Sequence, residues 1–153
     1  MSDLRDLYQE VILDHSKKPR NFGPLDHANH EAKGHNPLCG DRVTVFLDLA
    51  ADGTVKDVHF QGSGCAISMA SASLMTELVK GKTEAEARAL FGKFHALVTG
   101  EEQPAGDVDG DDMDRLEPLT GVREFPMRVK CATLPWHTFI AALDEKRAPV
   151  VTE

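Results

Sequence analysis

"VTVFLDLAADGTVKDVHFQ", Val43 to Gln61, holds two apolar alternations on either side of an Asp-Gly pair. Val43, Val45, Leu47 and Leu49 recur at every second position, the period of a strand that buries one face. "ADGT", Ala51 to Thr54, then supplies Asp52-Gly53, the strongest short hairpin signal, and predicts a return strand over about Val55 to Gln61. The centre of the chain is therefore an antiparallel hairpin.

Toward the C-terminus the period changes. After "GSGC", Gly62 to Cys65, the residues Ile67, Ala70, Leu74 and Leu78 form a helical stripe, and Ser71, Ala72 and Ser73 beside it allow close packing. Gly81 ends that helix, and Thr83 with Glu86 has the spacing of a capping box for another, running to about Leu97. From Gly100 to Pro126 nine acidic residues stand against Arg115 and Arg123, so this segment alone carries −7 of the total −8. It is expected to be a solvated excursion, and the Gly of "DVDGDD", Asp107 to Asp112, is misplaced for an EF-hand loop. A last helix is expected after Cys131, with Trp136, Phe139, Ile140 and Leu143 on its stripe and Pro135 in its first turn, where amides lack intrahelical partners.

Toward the N-terminus, Leu4, Leu7, Tyr8, Val11 and Ile12 make the stripe of an amphipathic helix that should stop before Pro19. Pro19 to Pro37 has no period and is rich in Gly, Asn, Pro and His, so a long loop is expected.

At 153 residues the chain is one domain's worth, long enough to bury roughly two-thirds of its unfolded surface. Three cysteines, an odd number, do not make the paired framework of a secreted mini-protein, which points to a reducing cytoplasm. The N-terminal "MSDLRDLYQE" has no signal-peptide pattern, and no apolar run approaches the ~18 residues of a membrane span. A net charge of −8 argues against nucleic acid, whose backbone calls for clustered Lys and Arg. Neither a membrane nor a nucleic-acid partner is expected.

The three cysteines fall at element ends. Cys39 precedes the first strand, and Asp41 follows two positions on, so in extended backbone both side chains leave one face. Cys65 sits at a strand-to-helix junction, where the helix N-terminus favours a thiolate and Gly62 and Gly64 let the backbone turn. Cys131 repeats the arrangement before the last helix. Three thiolate candidates and one carboxylate make a tetrahedral ligand set suited to Zn2+. Their sum with the ion is −2, and "RVKC" supplies Arg128 and Lys130, which share a face if the approach to Cys131 is extended. Asp41, a hard oxygen among sulfurs, is the ligand best suited to let go.

Each residue also has a plainer reading. A lone Cys is a common core residue, and without a C-x-x-C pair spacing alone does not establish a metal site. Arg128 and Lys130 equally suit a solvated face. His27, His30 and His35 read as chance company in an aperiodic loop, and His137 as a helix-surface residue.

"HSKKPRNFG" (His15 to Gly23), "NPLCGD" (Asn36 to Asp41), "GSGCAISMASASLM" (Gly62 to Met75) and "RVKCATLPW" (Arg128 to Trp136) together resemble the IscU/NifU-N iron-sulfur cluster assembly scaffold family. The resemblance spans almost the whole chain in order. It is strongest to the SufU-type branch, which carries an insertion where Gly100 to Pro126 lies and a Lys where Lys130 precedes the third cysteine. The implied fold is α+β, a small antiparallel sheet packed with helices in the U-type scaffold (SufE/NifU-like) arrangement. Residues 1–153 would form a single scaffold-like domain with an acidic insertion at 100–126. Cys39, Asp41, Cys65 and Cys131 would bind Zn2+. Cys39 would accept persulfide sulfur from a PLP-dependent, SufS-like cysteine desulfurase, one of whose histidines takes its place on the metal, and Arg128 would assist the exchange. Downstream iron-sulfur assembly proteins would receive the sulfur.

Three functions follow. The first is a zinc-dependent sulfur acceptor, for which a metal-held thiolate stays ionised yet damped until released. The second is a scaffold that assembles an iron-sulfur cluster on the same thiolates. The third, a zinc hydrolase, needs an open water position that four protein ligands do not leave and a general base that the cysteine motifs lack. Lys130 favours the first over the second, because a Lys offers only donors where a His could be a ligand.

Overall fold

The computed structural model describes residues 2–37, 40–100, 110–145 and 150–151, with side chains from Gln9 onward. Helix α1 (Ser2–Lys17) leads into a loop and strand β1 (His30–Asn36), followed by β2 (Asp41–Leu49) and β3 (Val55–Ser63). Helices α2 (Ala66–Val79), α3 (Glu84–Thr99), α4 (Gly110–Leu116), a 3-10 helix (Glu117–Glu124) and α5 (Pro126–Leu143) follow, and β4 (Val150–Val151) closes the described chain. The sheet order is β3-β2-β1-β4. It is antiparallel except for the short β4, which runs parallel to β1 at the edge.

The hairpin forms as its pattern dictates. Val45 faces Phe60 and Leu47 faces Val58 across β2 and β3, and all four are fully buried. Gly53 takes φ 90° in the turn, where a side chain would be strained, and Asp52 accepts the amide of Thr54 at 3.0 Å. Thr83 and Glu86 cap α3 reciprocally.

β1 corrects the expected loop: seven residues of the Pro19–Pro37 segment are strand. Its inward positions are Ala32, Gly34 and Asn36, which offer no apolar alternation. The reason is packing. A Cβ on Gly34 would collide with the hydroxyl of Thr138 and come within 3.1 Å of Leu134, so α5 lies directly on the strand backbone. The preceding stretch is a loop as expected, tied to β3 by Gly23 N–H to Phe60 O at 2.8 Å.

The buried layer lies between the sheet and α2 and α5, with α3 packed on α5 and the 3-10 helix. α2 is covered along most of its length, and its small residues carry polar links: Trp136 donates to Ser71 Oγ at 3.1 Å, and Ser71 donates to Ala132 O at 2.5 Å. His15 Nδ1 lies 2.7 Å from Ser73 Oγ, joining α1 to α2.

The acidic segment is more than a solvated excursion. Its first third, 101–109, and with it half of the Asp-rich run, lies outside the described residues. From Gly110 onward it folds back, burying Leu116, Leu119 and Val122. Lys82 holds Asp112 at 2.6 Å, and Arg115 holds Glu77 at 2.8 Å.

The last helix starts five residues before Cys131, at Pro126, a proline pre-set for the first helical position. Pro135 is therefore interior, where it withholds the N–H that would serve the Cys131 carbonyl four residues back. His137 is half-buried rather than on the surface, with its ring 5.0 Å from Phe91 and 5.6 Å from His95. Burial first, and His95 second, push its pKa down. No helix among the described residues is long and apolar enough to cross a membrane.

Candidate metal centre

Three elements converge at one end of the sheet. Asp41 opens β2 and is buried at 1% exposure, Cys65 caps α2, and Cys131 lies in the second turn of α5 at 5% exposure. One donor atom from each lies within 4.8 Å of the others.

Asp41 is held by its neighbours. Its Oδ1 accepts the backbone N–H of Cys65 at 2.9 Å, leaving Oδ2 at 3.6 Å from the Cys65 thiol. In a tetrahedral zinc site, with bonds of about 2.3 Å to sulfur and 2.0 Å to oxygen, a sulfur and an oxygen stand about 3.5 Å apart. The observed separation fits that edge. Cys65 adopts extended backbone at the cap, and its sulfur also accepts the Ser68 N–H at 3.5 Å. The helix N-terminus thus faces the sulfur.

Gly64 has a role that the sequence did not reveal. Its Cβ would lie 2.5 Å from Asp41 Oδ1, so the missing side chain is the space that the carboxylate occupies. No linear motif encodes that proximity across 22 intervening positions of chain between 41 and 64. Gly62 lies within β3 opposite Val43 rather than in a turn, with φ 151° and a Cβ that would strike the Arg42 carbonyl.

Other expectations change. Cys39 lies outside the described residues. Gly40 has φ 78° and donates to Asn36 O at 2.8 Å, so the described backbone turns at Gly40 as it enters Asp41, and the expected pairing of Cys39 with Asp41 on one face falls outside the described residues. Arg128 and Lys130 sit in the first turns of a helix, where positions two apart point away from each other. Arg128 instead shares the Cys131 face, three residues before it, and lines a cavity of about 470 Å3 with Cys65, Cys131, Ile12, Ile67 and Met127. Lys130 opens on a different cavity, with His95 and His137. The loop histidines stand apart from the cluster: His30 Nδ1 lies 2.8 Å from Ala142 O, and His27 lies 3.6 Å from Asp48.

The family model for the NifU-like N terminal domain matches residues 7–132. This chain belongs to that family. The NifU-like domain is 43% identical over 135 residues to the zinc-dependent sulfurtransferase SufU of Bacillus subtilis, covering 88% of each chain. It is 41% identical over 143 residues to the iron-sulfur cluster assembly scaffold protein IscU of Streptococcus pyogenes, covering 94% of this chain and 86% of that one. A crystal structure from Fervidobacterium islandicum, described as an iron-sulfur cluster assembly scaffold protein for the SUF system, matches with TM-score 0.80 at 36% identity over 91% of this chain and 98% of its own. A NifU-like protein of Brucella abortus matches with TM-score 0.79 at 26% identity over 93% and 95%. The expected U-type architecture is thereby established.

Proposed function

We propose that this NifU-like domain is a zinc-dependent sulfur acceptor that takes persulfide sulfur from a SufS-type, PLP-dependent cysteine desulfurase and passes it to downstream iron-sulfur assembly proteins. The observation that supports it most is the buried Asp41 carboxylate, locked on one oxygen by the Cys65 amide and turned to the Cys65 thiol with the other. The similarity to a protein named as a zinc-dependent sulfurtransferase supports it further.

In this reading Asp41, Cys65 and Cys131, with Cys39 as the fourth donor, hold Zn2+. Bound zinc keeps its thiolate donors ionised at neutral pH and brings no redox chemistry of its own. Cys39 is the acceptor. Its thiolate attacks the terminal sulfur of the desulfurase persulfide and forms a new S–S bond. The desulfurase S–S bond breaks, its electron pair leaves on the desulfurase cysteine, and the proton stays on the transferred sulfur. No oxidant is needed. Arg128, on the Cys131 face, offsets the negative donor set during the exchange.

The similarity to a scaffold of comparable identity favours a second reading, assembly of an iron-sulfur cluster on the same cysteines. Metal analysis together with desulfurase turnover, on wild type and Cys39→Ala, separates the two. The acceptor carries close to one zinc and raises turnover, and Cys39→Ala abolishes the stimulation. A brown, cluster-loaded protein whose Cys39→Ala variant stimulates normally is a scaffold.

A further inference from the structure

The outer face of the sheet, opposite the helices, divides into two halves. At the far end the preceding loop lies against it: His27 meets Asp48, and Pro24 O lies 3.3 Å from His59 Nδ1. Of the acids there, Asp57 has Lys80 at 3.2 Å and His59 at 3.8 Å, and the exposed Glu31 stands in the row next to Lys33. Among the described residues, nothing is packed over the end next to the metal centre. His35, Arg42 and Ser63 form one cross-strand row, and Lys33, Thr44 and Gln61 the next.

Among the described residues, these two rows carry cations and no carboxylate. Lys33, His35, Arg42 and Thr44 surround a cavity of about 330 Å3 over the backbone of Gly62. Arg20, Lys80, Lys82, Arg88 and Arg115 each hold a carboxylate. Lys33 and Arg42 hold none among the described residues, although the chain as a whole is −8. Unpaired like charges on adjacent strands repel one another and add nothing to the fold. Such a patch is suited to steering a partner of opposite sign.

We infer that this half-face is an electrostatic docking surface for an acidic stretch of the cysteine desulfurase, an inference that rests on the function proposed above. Position argues for that partner: Arg42 directly follows Asp41, and Ser63 in the same row lies two residues before Cys65, so a protein reaching the cysteines at this end comes to the border of the patch. Extent argues for a protein rather than a free anion. Two rows across three strands present more surface than one small ion covers.

The test is titration of a SufS-type desulfurase of the source organism with wild type, Lys33→Glu, Lys33→Glu/Arg42→Glu, and Lys93→Glu, which changes the net charge equally from α3. Zinc content and thermal melting establish that each is loaded and folded. For the double variant the half-saturating concentration should rise at least about tenfold at low salt, with turnover at saturation unchanged and the difference collapsing at high salt. Lys33→Glu, away from the metal ligands, should shift the same way, and Lys93→Glu should match wild type. A wild type that stimulates, with Lys33→Glu indistinguishable from it, overturns the docking surface alone. A wild type that neither binds nor stimulates the desulfurase overturns the proposed function and this inference with it.

Discussion

Asp41 binds Cys65 twice, accepting its amide at 2.9 Å through one oxygen and facing its thiol at 3.6 Å through the other. The carboxylate therefore serves the backbone as well as the proposed metal site. Asp41→Ala should strip zinc and also leave the Cys65 amide without its acceptor, lowering stability by about 1–3 kcal/mol. Asp41→Asn keeps an amide acceptor and loses the charge, so it should melt closer to wild type while still retaining less zinc. Metal analysis beside thermal denaturation checks both. An Asp41→Asn protein with full zinc content would show that the carboxylate charge is not a ligand.

Gly64→Ala places a methyl group 2.5 Å from a carboxylate oxygen that cannot retreat, because that oxygen is bonded to the next residue's amide. The expected result is a folded protein, destabilised by about 1–3 kcal/mol, with weakened zinc retention. Competition with a chromogenic chelator reads the affinity directly, and unchanged affinity would mean that the Asp41 position is immaterial to the site.

Gly34→Ala tests the contact between α5 and β1. The new methyl collides with Thr138 and crowds Leu134, in a layer with no slack, and should cost about 1–3 kcal/mol. Thr138→Ala in the same chain should return part of it. A double-mutant cycle in urea gives the coupling, and strict additivity would place the strain elsewhere.

The buried His15 titrates against the fold. Burial, then Arg20, holds its imidazole below the ordinary 6.5, while Glu77 and Asp14 oppose the shift and Arg115 adds to it. The unfolded chain therefore takes up the proton first as pH falls. The contribution of His15 is complete above about 6.5 and is lost as pH drops from there toward the folded-state value. His137 shifts in the same direction. His15→Asn, which can keep a hydrogen bond to Ser73, should lose less stability than wild type between neutral and mildly acidic pH. Denaturant midpoints across that range decide it, and parallel curves would remove His15 from the account.

The hairpin and the capped α3 were legible because their signals are local: Asp52-Gly53 sets a turn, and Thr83 with Glu86 a helix start. β1 was not, because its inward residues were small enough to admit a helix and so carried no alternation. The start of α5 was marked by Pro126 at its first position, a signal outweighed by the assumption that Cys131 began the helix. In the acidic segment, composition hid Leu116, Leu119 and Val122, three apolar side chains sufficient to fold its second half onto the body. For the candidate metal centre, residue chemistry picked out Asp41, Cys65 and Cys131, and the fold brings these three side chains together. What it could not supply was the void that Gly64 leaves for the carboxylate.

The three donors come from the start of a strand, the cap of one helix and the second turn of another. An ion seated among them is a cross-link, shortening the loops of the unfolded chain as a disulfide would and tying sheet and helices at their open end. Loading and resistance to proteolysis should then rise and fall together, so that a protease can report how full the site is.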